Sequence, residues 1–243
     1  IMMPTPSAVL KAMTLLADGT DGEPGIGELI AVDVGGATTD VYSIASGMPT
    51  RSDTVFKGLP EPYAKRTVEG DIGMRYSLHG ICEAAGMPLI AQLSGLSEAR
   101  CEELAAYLSQ NTDVVPNGDP ELEAFDHALA CAAVETAVTR HAGTMEEAYT
   151  LMGLTFVQSG KDLTGARRIV VTGGSLIHTK RTAEIAAHAL YSSANPNSLK
   201  PKSADIFVDR KYILSAMGLL AEHYPEAALR IMKKELVSYG NQQ

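Results

Sequence analysis

The chain has 243 residues, 45% of them apolar and 20% charged, which suits a folded protein of one large or two small domains around a sizeable core. A formal net charge of −9 and a pI near 5.1 argue against a basic surface of the kind that grips nucleic acid or an anionic membrane. No apolar run approaches the ~20 residues of a transmembrane helix, and Cys82, Cys101 and Cys131 form no CxxC pair, as expected of buried thiols in a reducing, cytoplasmic setting.

In chain order, residues 5 to 18 carry helical spacing, with Thr5 as a candidate N-cap, Pro6 in the first turn and Gly19 after the end. Leu29 to Val34 is an apolar run read as a strand, with Asp33 near its end; Gly35-Gly36 makes a tight turn, and Val41 to Ala45 resumes as a second strand. Two glycines in succession permit positive φ, so that successive N–H groups can face one concavity able to hold an anion. Asp33 at its mouth suits a magnesium-bound water, and Thr38 and Thr39 bring hydroxyl donors to a terminal phosphate. The plainer alternative is a hairpin whose Asp and Thr side chains only satisfy the turn.

Residues 52 to 58 and 65 to 69 suggest two further strands. From Asp71 to Gly86 the spacing of Ile72, Tyr76 and Ile81 predicts a helix, with Gly70 at its start as a further possible phosphate contact. Residues 93 to 108 and 119 to 141 are rich in Ala and Glu with helical period, so the middle of the chain is expected to be mostly α. Arg140 and His141 end that second helix before Gly143, where capping is their default role; Asp126, His127 and Glu135 are expected on solvated faces or in local pairs.

Ile169-Val170-Val171 reads as a short buried strand, Gly173-Gly174-Ser175 as the turn after it, and a helix is expected from about Thr179 to Leu190. A glycine pair at the carboxyl end of a strand admits a ligand close to backbone, as nucleotides bind in α/β sheets; an ordinary strand-to-helix loop is the alternative. Ile206-Phe207-Val208 gives a last strand, Asp209 opens a helix rich in small residues, and an amphipathic helix runs from about Pro225 to Leu236. No GxxxxGK[ST], GxGxxG, GxSxG or HExxH pattern occurs.

DVGGATTD, VVTGGS some 130 residues later and YILSAMGLLA resemble, in that order, the second phosphate motif, the adenosine motif and the second connecting helix of the actin-like ATPases, the superfamily of sugar kinases, DnaK-type chaperones and actin. The resemblance implies an α/β, ribonuclease H-like domain whose mixed sheet is flanked by helices, made of residues 29–57 and 150–243. Residues 1–28 would be an entry helix and loop, and 58–149 a mainly helical inserted subdomain. It also implies ATP or ADP with Mg²⁺ as ligands. Asp33 would meet Mg²⁺ through water and act catalytically with Asp40; Gly35, Gly36, Thr38, Thr39 and Gly70 would face the phosphates. Gly173, Gly174 and Ser175 would meet the adenosine, Asp209 would reach toward the nucleoside, and Glu135 or Arg140 would flank the adenine.

A closer likeness covers nearly the whole chain. MPTPSAVLKA, AVDVGGATTDVYS, KRTVEGDIGMR, TRHAGTMEEAYTLMG and VVTGGSLIH resemble the MutL (GlmL-type) family encoded with glutamate mutase, unrelated to mismatch repair. Proteins of this kind are regarded as reactivating factors for adenosylcobalamin-dependent mutases. That implies a chaperone-like ATPase whose partners are mutase subunits, with no nucleic acid or membrane partner and with a homo-oligomer possible. The start at Ile1-Met2-Met3 and the lack of a first phosphate motif lead to the expectation of a C-terminal half, whose N-terminal half would supply the other wall of a nucleotide cleft. An ATP-dependent amidohydrolase of the hydantoinase or oxoprolinase type, with a similar DxGGTSTD-like turn, is the rival enzyme; an actin-like interaction domain without turnover is the rival from another class.

Overall fold

The computed structural model describes residues 3–242. The chain runs α1 (Thr5–Asp18), β1 (Leu29–Val34), β2 (Thr39–Ile44), β3 (Thr54–Lys57), β4 (Ala64–Glu69), α2 (Leu78–Ala85), α3 (Met87–Ser94), α4 (Glu98–Gln110) and α5 (Pro120–His141). It continues β5 (Thr144–Thr150), β6 (Gly153–Ser159), β7 (Arg168–Thr172), α6 (Gly174–Ile177), α7 (Thr182–Ala187), β8 (Ala204–Val208), α8 (Leu214–Leu220), α9 (Pro225–Glu235) and β9 (Val237–Gln242).

The main sheet has the order β4-β2-β1-β7-β8-β9. Its centre is parallel, β1 with β7 and β7 with β8, whereas β2, β4 and β9 join antiparallel, so the sheet is mixed. Leu29, Ala31, Tyr42, Ile44 and Val170 face α1, α8 and α9, while Ile30, Val32, Val41, Ile169 and Val171 face α5 and the remaining helices. This alternation is what a strand's period of two dictates for a sheet buried on both sides. α5 is the backbone of the second layer. Its alanine-rich middle, Ala128 to Ala133, is buried, and small side chains let it lie close to the sheet. Among the described residues no helix is long and apolar enough to cross a membrane.

Several local expectations change. Thr5 is the first helical residue and Pro4 holds the N-cap position. Residues 71–77 are turns, and the helix starts only at Leu78. The expected helix from Thr179 is the short α7, preceded by α6. The expected 209–223 helix is confined to Leu214–Leu220. Residues 144–159 form a hairpin that joins β3 in a second sheet of order β3-β6-β5, so β3 leaves the main sheet while β4 stays in it. β9, at the far edge of the main sheet, has no counterpart among the expected strands.

Candidate functional site

Both glycine turns lie at the same end of the main sheet, because β1 and β7 are parallel neighbours with Asp33 opposite Thr172. Gly173, at φ 100°, presses on β1 so closely that an added Cβ would sit 2.3 Å from the Val34 carbonyl oxygen. Only glycine fits there, for the contact as much as for the backbone angle. Gly174 and Gly70 are different, since a Cβ on either meets open space. Gly35 and Gly36 are not at positive φ, contrary to the expectation from their pairing. What the first turn needs is room: a Cβ on Gly35 would stand 3.0 Å from the Thr38 carbonyl oxygen, and one on Gly36 would meet the Tyr76 ring at 3.6 Å.

The Gly35 amide donates to the Thr38 carbonyl at 2.9 Å and closes the turn. Gly36, Ala37 and Thr38 have amides that donate to no protein acceptor among the described residues. The carbonyls of the turn are held instead: Met74 N–H donates to Gly35, and Arg75 and Tyr76 N–H both donate to Gly36. These bonds explain why 71–77 is not helical, since its amides serve the turn rather than a preceding turn of helix. Thr39 is buried, and its hydroxyl donates to the Ile72 carbonyl at 2.9 Å, so it is engaged away from the concavity in which its place beside the glycines put it.

Beside the turn, Asp40, Asp33 and Thr172 stand in register across three strands, and the Thr172 hydroxyl donates to Asp209 at 3.1 Å. Asp40 is paired with Arg66 at 2.7 Å. Asp209, fully buried, accepts from the backbone N–H groups of Ile213 and Leu214 and so fixes the start of α8; its carboxylate is committed within the protein rather than extended toward a ligand. Asp33 has neither kind of partner among the described residues. Burial, helped by the charges of Asp40 and Asp209, pushes its carboxyl up to about 6. A carboxylate raised in this way by burial and like charge, with no protein cation against it, is a fit for a divalent ion.

Two residues missed in the sequence complete the site. Tyr212, exposed beside Asp33, is the single non-glycine residue at positive φ among the described residues, at 55°, and the Asp33 charge raises its phenol. Arg75 makes a two-pronged contact with Asp126 at 2.7 and 2.9 Å from just below the turn. The signal that could have found Arg75 is its place behind Gly70 and Gly73, in a stretch too glycine-rich for a stable helix.

Ser175 is half-buried in the first turn of α6. Glu135 and Arg140 border one open groove of about 370 Å³ between α5, the α2–α3 elbow and Asn195. Neither is a free helix-surface charge: Glu135 pairs with His188 at 2.9 Å, and Arg140 binds Glu69 and Asp71 at 2.8 Å. His141 is no exposed cap but a buried residue between Ser43 and Thr67, at 2.7 Å from each hydroxyl.

The arrangement is that of a mixed α/β protein with two glycine turns and a bare carboxylate at one end of its parallel strands. A family model described as MutL protein matches residues 1–236, and "Protein MutL" of Clostridium tetanomorphum is 47% identical over 237 residues, covering 98% of this chain. The chain belongs to the MutL protein family. It spans about half the length of that curated relative, 51%.

Proposed function

We propose that this chain is one nucleotide-binding wall of an actin-like ATPase that reactivates an adenosylcobalamin-dependent mutase of the glutamate mutase type. One observation carries the proposal: the free amides of Gly36, Ala37 and Thr38 lie beside the unpartnered carboxylate of Asp33. Free N–H donors favour an anion and a bare carboxylate favours a cation, and a magnesium-bound phosphate chain presents both within a few ångströms. Family membership supports the mutase as client, through the resemblance to proteins encoded with glutamate mutase.

Mg²⁺ and ATP, when bound, supply the charge neutralisation and the transferable phosphoryl group. The chain's own residues do the rest by position. Asp33 would hold the ion, the Gly36–Thr38 amides would take phosphate oxygens, and Thr38 would add a hydroxyl. Gly70 and Gly174 leave space for the ligand to approach backbone, and Ser175 stands at the second turn. Asp40, ion-paired with Arg66, would contribute through the field its carboxylate still exerts on Asp33. Phosphoryl transfer needs this kind of positioning and electrostatics rather than a covalent nucleophile. In the longer protein, ATP turnover would then move domains so that damaged cobalamin leaves the mutase.

The test is a thermal unfolding series with Mg-ADP and Mg-ATP, on wild type and on Asp33→Asn. A ligand at ~100 times its Kd adds ~2.7 kcal/mol, so a clear rise in midpoint is expected for wild type and none for the variant. A midpoint that rises equally in both would remove Asp33 from the site. For the client, the longer protein is expected to release cobalamin from inactivated mutase only with hydrolysable ATP, followed by the cofactor's visible absorbance.

A further inference from the structure

The turn from Gly35 to Thr38 has little holding it from within. Its single internal bond is the one from Gly35 to Thr38, and the carbonyls of its first two residues, Gly35 and Gly36, are bound by the amides of Met74, Arg75 and Tyr76. The contact is close along its whole length: a Cβ on Gly73 would lie 2.3 Å from the Ala37 carbonyl carbon and 2.6 Å from the Gly36 oxygen. The turn therefore takes its shape from the 72–76 segment.

That segment is itself anchored elsewhere. The Arg75 guanidinium grips both carboxylate oxygens of Asp126 on α5, and donates to the Val114 carbonyl at 3.2 and 3.1 Å and to the Met74 carbonyl at 2.7 Å. The pair is mostly shielded, with side-chain exposures of 12% and 17%. A forked contact of this kind fixes direction as well as distance, and lysine cannot reproduce it. Val114 lies in the α4–α5 connection and Asp126 in the second turn of α5, so both belong to the helical layer, and among the described residues neither hydrogen-bonds to the turn.

We propose that Arg75 is the positioning residue of the glycine turn, and that the helical layer sets the turn's geometry through the Arg75–Asp126 pair. Ile72 and Met74 of the same segment are buried in the core shared with α4 and α5, and the Arg75–Asp126 pair adds the polar, directional link, so a partner that shifts α4 or the start of α5 would alter the turn without entering the site. The inference rests on the phosphate reading for what the turn receives, and on the hydrogen bonds alone for what shapes it.

Hydrogen exchange of the full 243-residue chain without nucleotide tests the second part directly. In Asp126→Asn and Arg75→Lys, the amides of Met74, Arg75 and Tyr76 are expected to exchange at least about tenfold faster, while those of β7 and β8 keep wild-type rates. Glu121→Gln, which breaks the exposed Arg100 pair on the same helix, is expected to change neither. Wild-type exchange at 74–76 in both variants overturns the proposal, and so does an equal rise throughout the sheet, which would make the pair a general stabiliser. A Mg-ADP titration forms the second arm: Asp126→Asn is expected to weaken binding about tenfold, and unchanged affinity overturns the positioning role. If wild type itself binds no Mg-ADP, the nucleotide reading fails while the exchange result still decides what shapes the turn.

Discussion

At the scale of single residues, two buried titratable groups pull stability in opposite directions with pH. Asp33 has its carboxyl pushed from 3.8 up to about 6, so the folded chain binds the proton more tightly than the unfolded one, and stability falls as pH rises from about 4 to 6. The cost at neutral pH is at most about 3 kcal/mol, since each tenfold gain in proton affinity corresponds to about 1.4 kcal/mol. His141 is driven down to about 3 by burial between Ser43 and Thr67 and by Lys65 and Lys161 nearby. Its folded form resists protonation, so its contribution is intact above about 6.5 and is lost as pH falls toward 3. Between pH 4 and 6 the two slopes oppose each other. Relative to wild type, Asp33→Asn should therefore lose stability more steeply on acidification across that window, by up to about 1.4 kcal/mol per pH unit, and His141→Gln less steeply. Urea unfolding at pH 4.5 and 7 measures both. At pH 7 Asp33→Asn should also be the more stable protein while losing its response to Mg-ADP, as expected where a site holds an unfavourable charge for its ligand.

At the scale of elements, the two glycine turns differ in what they demand, and substitution separates them. Gly173→Ala puts a Cβ 2.3 Å from the Val34 carbonyl oxygen at a φ that side chains avoid, and should cost about 2–4 kcal/mol by forcing β7 from β1. Gly174→Ala, open on that side, should stay within about 0.5 kcal/mol; chemical denaturation midpoints compare them directly. The same contrast shows what was legible in the sequence. β1, the first turn and β2 announced themselves because a continuous apolar run, a glycine pair and an alternating run each have one local explanation. β7 and its turn did so for the same reason. Residues 71–77 misled because the helical spacing of Ile72, Tyr76 and Ile81 is real, yet the amides of Met74 to Tyr76 are claimed by Gly35 and Gly36, a contact made across more than 30 residues. Thr39 was legible as a polar residue beside a glycine turn and Asp209 as the opening of a helix, but the engagement of Thr39 with Ile72, and the commitment of the Asp209 carboxylate to the start of α8, depend on packing. The β5–β6 hairpin lacked a strand signal, since Glu146, Glu147 and Tyr149 are exposed along it and no apolar face marks the pairing.

At the scale of the whole molecule, the candidate site is open. Gly36, Ala37 and Gly174 are exposed or half-exposed, and the Tyr76 ring over the first turn is 70% exposed, so water reaches the groups that would meet a phosphate. Binding can survive such exposure, because backbone donors and a carboxylate with an ion act over short distances. Turnover is more demanding: the attacking water must be held in line and bulk water kept from the developing charge, which one wall of a cleft cannot do alone. The matched relative is about twice as long as this chain, with ample further sequence for a second wall. On the proposed reading the 243-residue chain should accordingly bind Mg-ADP weakly and hydrolyse ATP at least ~100-fold more slowly than the matched longer relative, the scale on which lost positioning acts. A coupled ADP-release assay on both, at equal molar concentration and saturating Mg-ATP, measures the ratio. Equal turnover would place the whole catalytic apparatus on this chain and overturn the single-wall reading.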